Sequence, residues 1–516
     1  MLGKPSAKYA FLLFVAVLWL LPIEAPLFDW DEINFATCAR EMLLRGNYTR
    51  VTVNFLPFYE KPPLFFWLQS LSMQLLGQNA YAARLPNALC GLLTLWLLSR
   101  WTTDRQRGQY WLLFYACSWL PHLYFQSGII DPIFNLLIVA GMMSFVRARH
   151  LLYPALLLGA AVLTKGFVAG LIFGLVGVIV SRRRQHLIRV AGVIGGSTLV
   201  AGLWFGLDFW YDGGTFTQAF IRYQWALLTK AGAGHEGFPG YHVVVLLLGV
   251  FPASVWALPQ LFRRAENEQE RWLQALFWVV LLLFSLVQTK IMHYSSLCYF
   301  PLTYWAAKTW QSTPRSVPLR RLTLALGVLF ALVVGLVPVA GLHLETVLDE
   351  LAVTGGFVRE LTGVEVAWSY AEGGLLALSG GGLAYAIFRY RSLWLMSVGY
   401  VLWLNIALWN YLPRIAEYTQ GAGVDFYRTH QDGEAYFLPV GFKTYAHLFY
   451  GKVKPEDRPL YADKARWENH LLSGKSRRPV YFIVRADRLR RWEKRPKSEQ
   501  IRLLYAKNGY VFFMLD

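Results

Sequence analysis

LTLALGVLFALVVGLVPVAG, residues 322–341, is the stretch that decides what kind of fold this chain adopts. It carries no charged side chain, and it is hydrophobic on every side of a helix. A helix of a soluble protein buries one apolar stripe, whereas a run of about 20 apolar residues matches the hydrocarbon thickness of a bilayer. We therefore predict a membrane-spanning helix here and look for others along the chain.

The composition supports a membrane protein throughout. Of the 516 residues, 55% are hydrophobic and only 16% are charged, against roughly 25% charged in soluble domains. The net charge of +18 does not indicate nucleic acid, because Lys and Arg in a membrane protein gather in cytoplasmic loops and set its orientation. The four cysteines, three of them inside apolar runs, are predicted to be free thiols, and residues 9–27 a retained first span.

Fourteen apolar stretches are candidate membrane spans, and the positive-inside rule helps to decide which of them cross the membrane. If residues 63–76, a run of fourteen, lie along the membrane surface, every Arg-rich connection falls on the inner side. We therefore predict thirteen spans, with the N-terminus inside and the C-terminus outside. The stretches are 9–27, 63–76, 82–99, 110–126, 132–146, 151–163, 166–181, 187–207, 241–262, 272–288, 292–310, 321–341, 368–388 and 393–411.

The last hundred residues are polar and contain no apolar run of membrane length. Residues 434–439 and 480–485 have the pattern of short strands, and 501–515 that of a hairpin turning at Asn508-Gly509. Residues 464–472 have a helical pattern. The predicted fold class is a membrane all-α protein of about thirteen transmembrane helices with juxtamembrane helices in the first outer loop. Residues 1–412 form that domain, and 413–516 form a small α/β domain on the non-cytoplasmic side.

With this topology, polar residues other than arginine gather on the outer side. Acids and bases brought together at helix ends can pair with each other, bind a metal or meet an anionic substrate. The residues at the outer ends are Asp31, Glu32, Glu60, Lys61, Arg84, Asp131, Lys165, Asp208, Lys230, His235, His242, Lys290 and His293.

The first outer loop, residues 28–80, is the most informative stretch. Asp29-Trp30-Asp31-Glu32 follows the first span, and Glu60-Lys61 precedes two prolines that force an extended entry into the next segment. A carboxylate at this position can act as a general base on a hydroxyl, and a lysine suits a phosphate group.

An ordered set of motifs resembles the C-type glycosyltransferases that use polyprenyl-phosphate sugars, such as the lipid A aminoarabinose transferases and the protein O-mannosyltransferases. The resemblance covers residues 1 to about 310, and the family's thirteen-span layout agrees with the count above. The matching motifs are Asp31-Glu32, Tyr59-Glu60-Lys61-Pro62-Pro63, Ala83-Arg84-Leu85-Pro86, Ser127-Gly128-Ile129-Ile130-Asp131, Thr164-Lys165-Gly166, His235 ahead of Gly240-Tyr241, and Thr289-Lys290 followed by His293-Tyr294.

The resemblance implies roles for individual positions. Asp31 falls at the place of the main catalytic carboxylate, with Asp131 as a second functional acid, and we group Glu32 with them. Lys61 falls near the donor phosphate, and we extend a phosphate-binding role to Lys165, Lys290 and Arg84. Glu60 and His235 match positions that hold a divalent metal, zinc in the aminoarabinose transferases, with magnesium or manganese as alternatives here. His242 competes with His235 for that role.

One departure concerns the donor phosphate. The aminoarabinose transferases carry an Arg three places after the leading Asp, and this sequence has Asn34 there. Either another cation, such as Arg40 or Lys61, replaces it, or the donor is held differently.

The sequence thus predicts a multi-pass enzyme of the inner membrane with its site and its C-terminal domain on the periplasmic side. It would transfer a sugar from a polyprenyl-phosphate donor to a lipid, glycan or protein acceptor, without a nucleic-acid partner. The alternatives are a transporter or lipid flippase, and a membrane scaffold without catalysis. Many transporters show internal repeats and binding groups near the bilayer midplane, and neither is visible in this sequence.

Overall fold

The computed structural model describes residues 5–29, 31–147, 150–229, 237–353, 356–431, 435–454, 464–476, 478–495 and 500–515, and it is mostly helical. Three of the predicted residues, Lys230, His235 and Glu434, lie outside these ranges. The helices of the membrane part are α1 (Pro5–Leu20), α2 (Asp31–Arg45), α3 (Leu64–Leu76), α4 (Ala80–Leu98), α5 (Arg105–Cys117), α6 (Trp119–Phe125), α7 (Asp131–Arg147), α8 (Leu152–Lys165), α9 (Val168–Val180), α10 (Arg184–Asp212), α11 (Thr215–Thr229), α12 (Tyr241–Gly249), α13 (Ala253–Ala257), α14 (Glu268–Leu286), α15 (Tyr299–Ser312), α16 (Val317–Leu342), α17 (Leu344–Glu350), α18 (Gly356–Glu360), α19 (Tyr370–Tyr390) and α20 (Leu393–Ala416).

By length and apolar composition, five helices of the described chain can cross a membrane, or six if the bent pair α12 and α13 forms one span. The five are α4, α10, α16, α19 and the long helix that begins with α20. Several other predicted spans are shorter apolar helices, including α8 and α9, or are broken, as α5 and α6 are at Ser118. The coarse prediction of a helical multi-span protein is confirmed.

Small residues let two of the spans approach closely. Gly327, Ala331 and Gly335 recur every four residues along α16, and they face Gly373 and Ala377 of α19 among others. A Cβ added at Gly335 would lie 2.6 Å from the backbone oxygen of Gly373. Association of helices in lipid depends on this kind of close packing, because lipid tails leave no hydrophobic driving force between helices.

The C-terminal part contains the predicted strands. They form a four-stranded sheet in the order β3-β4-β6-β5, in which β3 and β4 are parallel and the other pairs antiparallel. The predicted hairpin turn is present, with positive φ at Asn508 and Gly509. The remaining elements are a first-loop hairpin of β1 (Thr52–Val53) and β2 (Leu56–Pro57), then α21 (Ala422–Thr429), β3 (Tyr436–Val440), α22 (Ala446–Tyr450), α23 (Lys464–Leu472), β4 (Val480–Arg485), α24 (Leu489–Glu493), β5 (Arg502–Lys507) and β6 (Tyr510–Leu515).

Hydrogen bonds fasten this C-terminal part to the first outer loop. Asp29 accepts from the Thr444 hydroxyl and from the backbone N–H of Tyr445. The guanidinium of Arg40, in α2, donates to the backbone carbonyls of Leu448 and Val453. The two parts of the chain therefore meet directly beside the first acidic motif.

A buried carboxyl group holds the first-loop hairpin against α2. Glu41 is 1% exposed, and its Oε2 accepts from the Thr52 hydroxyl at 2.7 Å and the Phe55 N–H at 2.9 Å. Burial raises the pKa of Glu41 to about 7, against the opposing effect of these hydrogen bonds and of Arg40. The folded protein therefore keeps this carboxyl group neutral at pH values where the unfolded chain ionises it.

The free energy of unfolding should consequently fall as the pH rises through the range in which Glu41 titrates. Below pH 4.5 both states carry the proton and the contribution of Glu41 is fully present. Between pH 4.5 and 7 only the unfolded state releases the proton, so by pH 8 about 3 kcal/mol is lost. Thermal unfolding of the detergent-solubilised protein at pH 5 and pH 8 checks this. Between pH 5 and pH 8 the wild type should lose free energy of unfolding relative to Glu41→Gln, which cannot ionise. The difference in free energy of unfolding between the wild type and Glu345→Gln, at an exposed position, should stay constant over the same interval. A constant difference for Glu41→Gln would contradict the prediction.

Candidate active site

Four titratable side chains, those of Asp31, Asp131, Lys165 and His293, meet where α2 and α7 begin and α8 ends. The Nζ of Lys165 donates to Oδ1 of Asp131 at 2.6 Å. The Nε2 of His293 lies 3.6 Å from Oδ2 of Asp31 and 3.6 Å from Oδ2 of Asp131. These two separations are too long for direct hydrogen bonds but close enough for strong electrostatic coupling. The imidazole thus stands between the two carboxylates that the sequence singled out.

The two carboxylates differ in their access to solvent. The side chain of Asp131 is 3% exposed and that of Asp31 is 44% exposed. Asp131 is held inside the protein by Lys165, whereas Asp31, the first residue of α2, faces an open space. Asp31 is therefore the acid that an incoming molecule can reach.

Glu60 and Lys61 approach the same centre from the first outer loop. Glu60 accepts a hydrogen bond from the Tyr223 hydroxyl at 3.0 Å, and the Lys61 ammonium lies 5.7 Å from the centre of the Tyr223 ring. Burial lowers the pKa of Lys61, with Glu60, Asp31 and Asp131 opposing that shift and Lys165 adding to it. The Lys61 ammonium is thus within electrostatic range of the cluster, and we count it with the cluster on that ground.

Aromatic side chains enclose the cluster. The Lys165 ammonium lies 5.1 Å from the ring centre of Tyr294 and 5.6 Å from that of Phe134. No role was predicted for Tyr223, and Tyr294 was named only as part of a motif. The one available signal was the pair His293-Tyr294 after Lys290; nothing in the sequence pointed to Tyr223.

Glu32 and Arg84 form a buried ion pair and take no part in the cluster. Arg84 donates to both Glu32 oxygens, at 2.8 and 2.9 Å, and also to the carbonyls of Ala25 and Pro26. Burial alone would raise the pKa of Glu32, but Arg84 and two backbone N–H groups outweigh it, so the pKa lies below its usual value. Both side chains are occupied by structural contacts, and a catalytic Glu32 and a phosphate-binding Arg84 remain predictions.

Lys290, also predicted to bind phosphate, is occupied by structural contacts as well. Its ammonium donates to the backbone carbonyls of Phe284, Ser285 and Val287. A helix leaves its last carbonyls without partners, and lysine is well suited to satisfy them. Lys290 therefore caps the end of α14 and has no donor left for a phosphate.

The missing arginine is not replaced by Arg40. Asn34 is 6% exposed, and Arg40 is 3% exposed and donates to Gln78 as well as to the two carbonyls of the C-terminal part. Of the cations considered at sequence level, Lys61 and Lys165 are the ones that the described structure places in the cluster.

Comparison with known proteins finds one matching family model and several similar proteins. Residues 60–206 match the family model of the dolichyl-phosphate-mannose-protein mannosyltransferases. The undecaprenyl phosphate-alpha-4-amino-4-deoxy-L-arabinose arabinosyl transferase of Erwinia tasmaniensis is 28% identical over 327 residues, which are 57% of this chain and 58% of that protein. The corresponding protein of Aeromonas hydrophila is 28% identical over 326 residues, with the same shares. The chain thus matches less than two thirds of the length of these relatives.

The crystal structure of ArnT from Cupriavidus metallidurans bound to undecaprenyl phosphate has a TM-score of 0.78 to this chain. The sequences are 18% identical, and the match covers 99% of both chains. The chain has the ArnT fold. The apo structure of the same protein matches with a TM-score of 0.77. The resemblance predicted from the sequence motifs is therefore confirmed.

The metal prediction is not tested by this structure of the ArnT fold. His235 lies outside the described residues, and Glu60 is the one predicted ligand within them. Among the described residues no group of three His, Cys, Asp or Glu side chains could hold a metal ion. His242 is fully buried beside the rings of Tyr241 and Phe284.

Proposed function

We propose that this chain is an inner-membrane glycosyltransferase that moves a sugar from a polyprenyl-phosphate donor to a lipid, glycan or protein acceptor. The observation that carries the proposal is the convergence of Asp31, Asp131, His293, Lys165 and Lys61 in one centre of a chain with the ArnT fold. The names of the similar transferases support an undecaprenyl-phosphate donor. Thirteen spans, with the centre and the C-terminal domain on the periplasmic side, belong to the same proposal.

The donor phosphate is proposed to lie against Lys61. Negative charge on the departing phosphate grows as the bond to the sugar breaks, so a fixed ammonium stabilises the transition state more than the ground state. Lys165 already donates to Asp131. In the proposal it adds positive potential and keeps Asp131 ionised and in place.

The acceptor is proposed to approach Asp31, the exposed acid. For a hydroxyl acceptor, its oxygen forms a bond to the anomeric carbon while the bond from that carbon to the phosphate oxygen breaks. The hydroxyl proton passes to Asp31, and polyprenyl phosphate leaves with the bonding electron pair. Direct displacement inverts the anomeric configuration. An acceptor phosphate is already ionised, and Asp31 would then orient the acceptor without taking a proton.

A transporter is not favoured by the same geometry. Transporter sites typically lie near the bilayer midplane, at unwound helices. Here the charged groups come together where α2 and α7 begin and α8 ends. A cluster at the helix ends suits chemistry on a lipid head group at the membrane surface.

Replacing Lys61 by methionine tests the donor site. A hydrogen bond to a charged group is worth about 1.5–3 kcal/mol, so the Kd for undecaprenyl phosphate should rise by about 10- to 100-fold. Calorimetric titration of the solubilised protein measures it. Lys290→Met is the matched control, because that ammonium is occupied at the end of α14, and its Kd should stay at the wild-type value. An unchanged Kd in Lys61→Met, or an equal rise in both variants, would contradict the proposed site.

A further inference from the structure

His293 stands in the centre, and the proposed transfer gives it no task. Its Nε2 lies 3.6 Å from Oδ2 of Asp31 and 3.6 Å from Oδ2 of Asp131, so both carboxylates direct an oxygen at the same ring nitrogen. An unprotonated nitrogen would set its lone pair against two negative oxygens, which is electrostatically unfavourable. The proton of the neutral imidazole therefore belongs on Nε2, where it faces both carboxylates.

Both carboxylates depend on this imidazole for a partner. Oδ1 of Asp131 accepts from Lys165, but its Oδ2 is buried and accepts no hydrogen bond within the described chain. Among the described residues, the imidazole is also the one ion-pair partner of Asp31. A buried acceptor without a donor is unfavourable. The Nε2–H of His293 is thus the donor placed to serve either acid.

A single N–H serves these two acids one at a time. It cannot point straight at two oxygens that belong to different side chains, and at 3.6 Å neither hydrogen bond is formed. A shift of about 0.6 Å would bring either oxygen to the usual N–H···O distance. The imidazole can therefore donate to Asp31 while that acid is ionised, and to Asp131 once Asp31 holds a proton.

The backbone of His293 is fastened to α7, the helix that begins at the buried acid. Asn135 of α7 donates to the Ser296 hydroxyl at 2.7 Å, and that hydroxyl donates to the His293 carbonyl at 2.5 Å. Both of these partners are buried. The imidazole packs edge to face with Tyr124 and Tyr294, whose ring centres lie 6.4 and 5.5 Å away. These contacts hold the imidazole beside the two acids.

We propose that His293 is a positioning residue for the transfer: its Nε2–H holds one oxygen of the ionised Asp31 and leaves the other for the acceptor hydroxyl. The acceptor proton then passes to Asp31, the N–H turns to Oδ2 of Asp131, and the imidazole neither gains nor loses a proton. A reactive group oriented by a third side chain is a recurrent arrangement in enzymes. The inference rests on the proposed transferase function and adds a residue to that same site.

The kinetics of three variants test this role. His293→Phe removes the N–H, so kcat should fall about 10- to 100-fold, the usual effect of losing a hydrogen bond to a charged group, while the Kd for undecaprenyl phosphate stays unchanged. His293→Gln keeps an N–H donor and should recover most of that loss. Exposed His150→Phe is the matched control and should transfer sugar at the wild-type rate. Equal losses in the Phe and Gln variants of His293, or no loss in either, would overturn the inference.

The Asp31→Asn background shows whether His293 acts through that acid. Independent sites multiply their losses, whereas residues that act as a unit do not. Because the amide of Asp31→Asn takes no proton, adding His293→Phe should lower kcat further by about twofold at most. A further loss as large as that of His293→Phe alone would overturn the inference.

Nitrogen NMR of the full-length, detergent-solubilised protein with isotope-labelled histidine separates this inference from the proposed function. The signal that disappears in His293→Gln identifies the imidazole. Its Nε2 should carry the proton and should shift in Asp31→Asn and in Asp131→Asn, but not in the exposed control Asp425→Asn. An unprotonated Nε2, or a signal that neither variant moves, would overturn the inference. A wild type that shows these shifts but transfers no sugar from any polyprenyl-phosphate donor would count against the transferase function instead.

Discussion

Asp31→Asn is expected to lower the rate of sugar transfer to a hydroxyl acceptor by about 10²–10⁴-fold, the usual contribution of a general base. The amide keeps the size of the carboxylate but cannot take the acceptor proton. Asp31 is the exposed member of the acid pair, whereas Asp131 is buried against Lys165. The loss should appear in kcat, and the Kd for undecaprenyl phosphate should change little, since the phosphate lies against Lys61.

The matched control is Asp425→Asn, an exposed aspartate of α21 with no role in the proposed centre. It should transfer sugar at the wild-type rate, and both variants should show the wild-type unfolding temperature within a few degrees. Full activity in Asp31→Asn would remove this side chain from the chemistry.

Glu32→Ala should produce the largest loss of stability. The substitution leaves the Arg84 guanidinium buried without its counter-charge and removes the acceptor for the N–H groups of Phe28 and Gly128. Removing one partner of a buried ion pair costs about 3–5 kcal/mol. The unfolding temperature of the solubilised protein and the yield of folded protein should both fall. An exposed pair, Asp349 with Arg359, is the control: Asp349→Ala should cost only about 0–1 kcal/mol.

A second variant at this position, Glu32→Gln, separates a structural role from a catalytic one. If Glu32 fastens the first loop to Arg84 and Gly128, the isosteric Glu32→Gln should lose stability, and the fraction that folds should still transfer sugar. A catalytic Glu32 would give the opposite result, a stable protein without activity. That outcome would restore the role first assigned to Glu32 from its place beside Asp31.

The helical membrane fold could be predicted because lipid imposes long apolar runs that are visible in one sequence. The interruptions could not be predicted in the same way. The run at residues 110–126 contains a break at Ser118, and the run at 241–262 bends by 108° between α12 and α13. The two interruptions contact each other, since the Trp119 N–H donates to the Phe251 carbonyl, and hydropathy does not describe such a contact.

The site could be predicted in part, because several of its residues stand in sequence motifs. Asp31, Lys61, Asp131 and Lys165 stand in ordered motifs, and the structure brings them together. Arg84 and Lys290 stand in motifs as well, but backbone carbonyls occupy them. A sequence shows that a cation is present, and only the fold shows whether its donors are already used.

Contacts between distant parts of the chain could not be predicted from the sequence. Tyr223 and Tyr445 lie more than 160 residues from Glu60 and carry no motif, yet one donates to it and the other is held beside Asp29. Their positions follow from the contacts that α11 and the C-terminal part of the chain make with the first outer loop.

The central claim, sugar transfer from a polyprenyl-phosphate donor, is tested most directly by mass spectrometry of membrane lipids from cells that produce either the wild-type chain or Asp31→Asn. The account predicts that the variant cells accumulate the polyprenyl-phosphate sugar and lose one glycosylated product, whose mass exceeds that of its acceptor by a single sugar residue. Identical lipid, glycan and protein glycosylation profiles in the two cultures, with no rise in the donor, would contradict it.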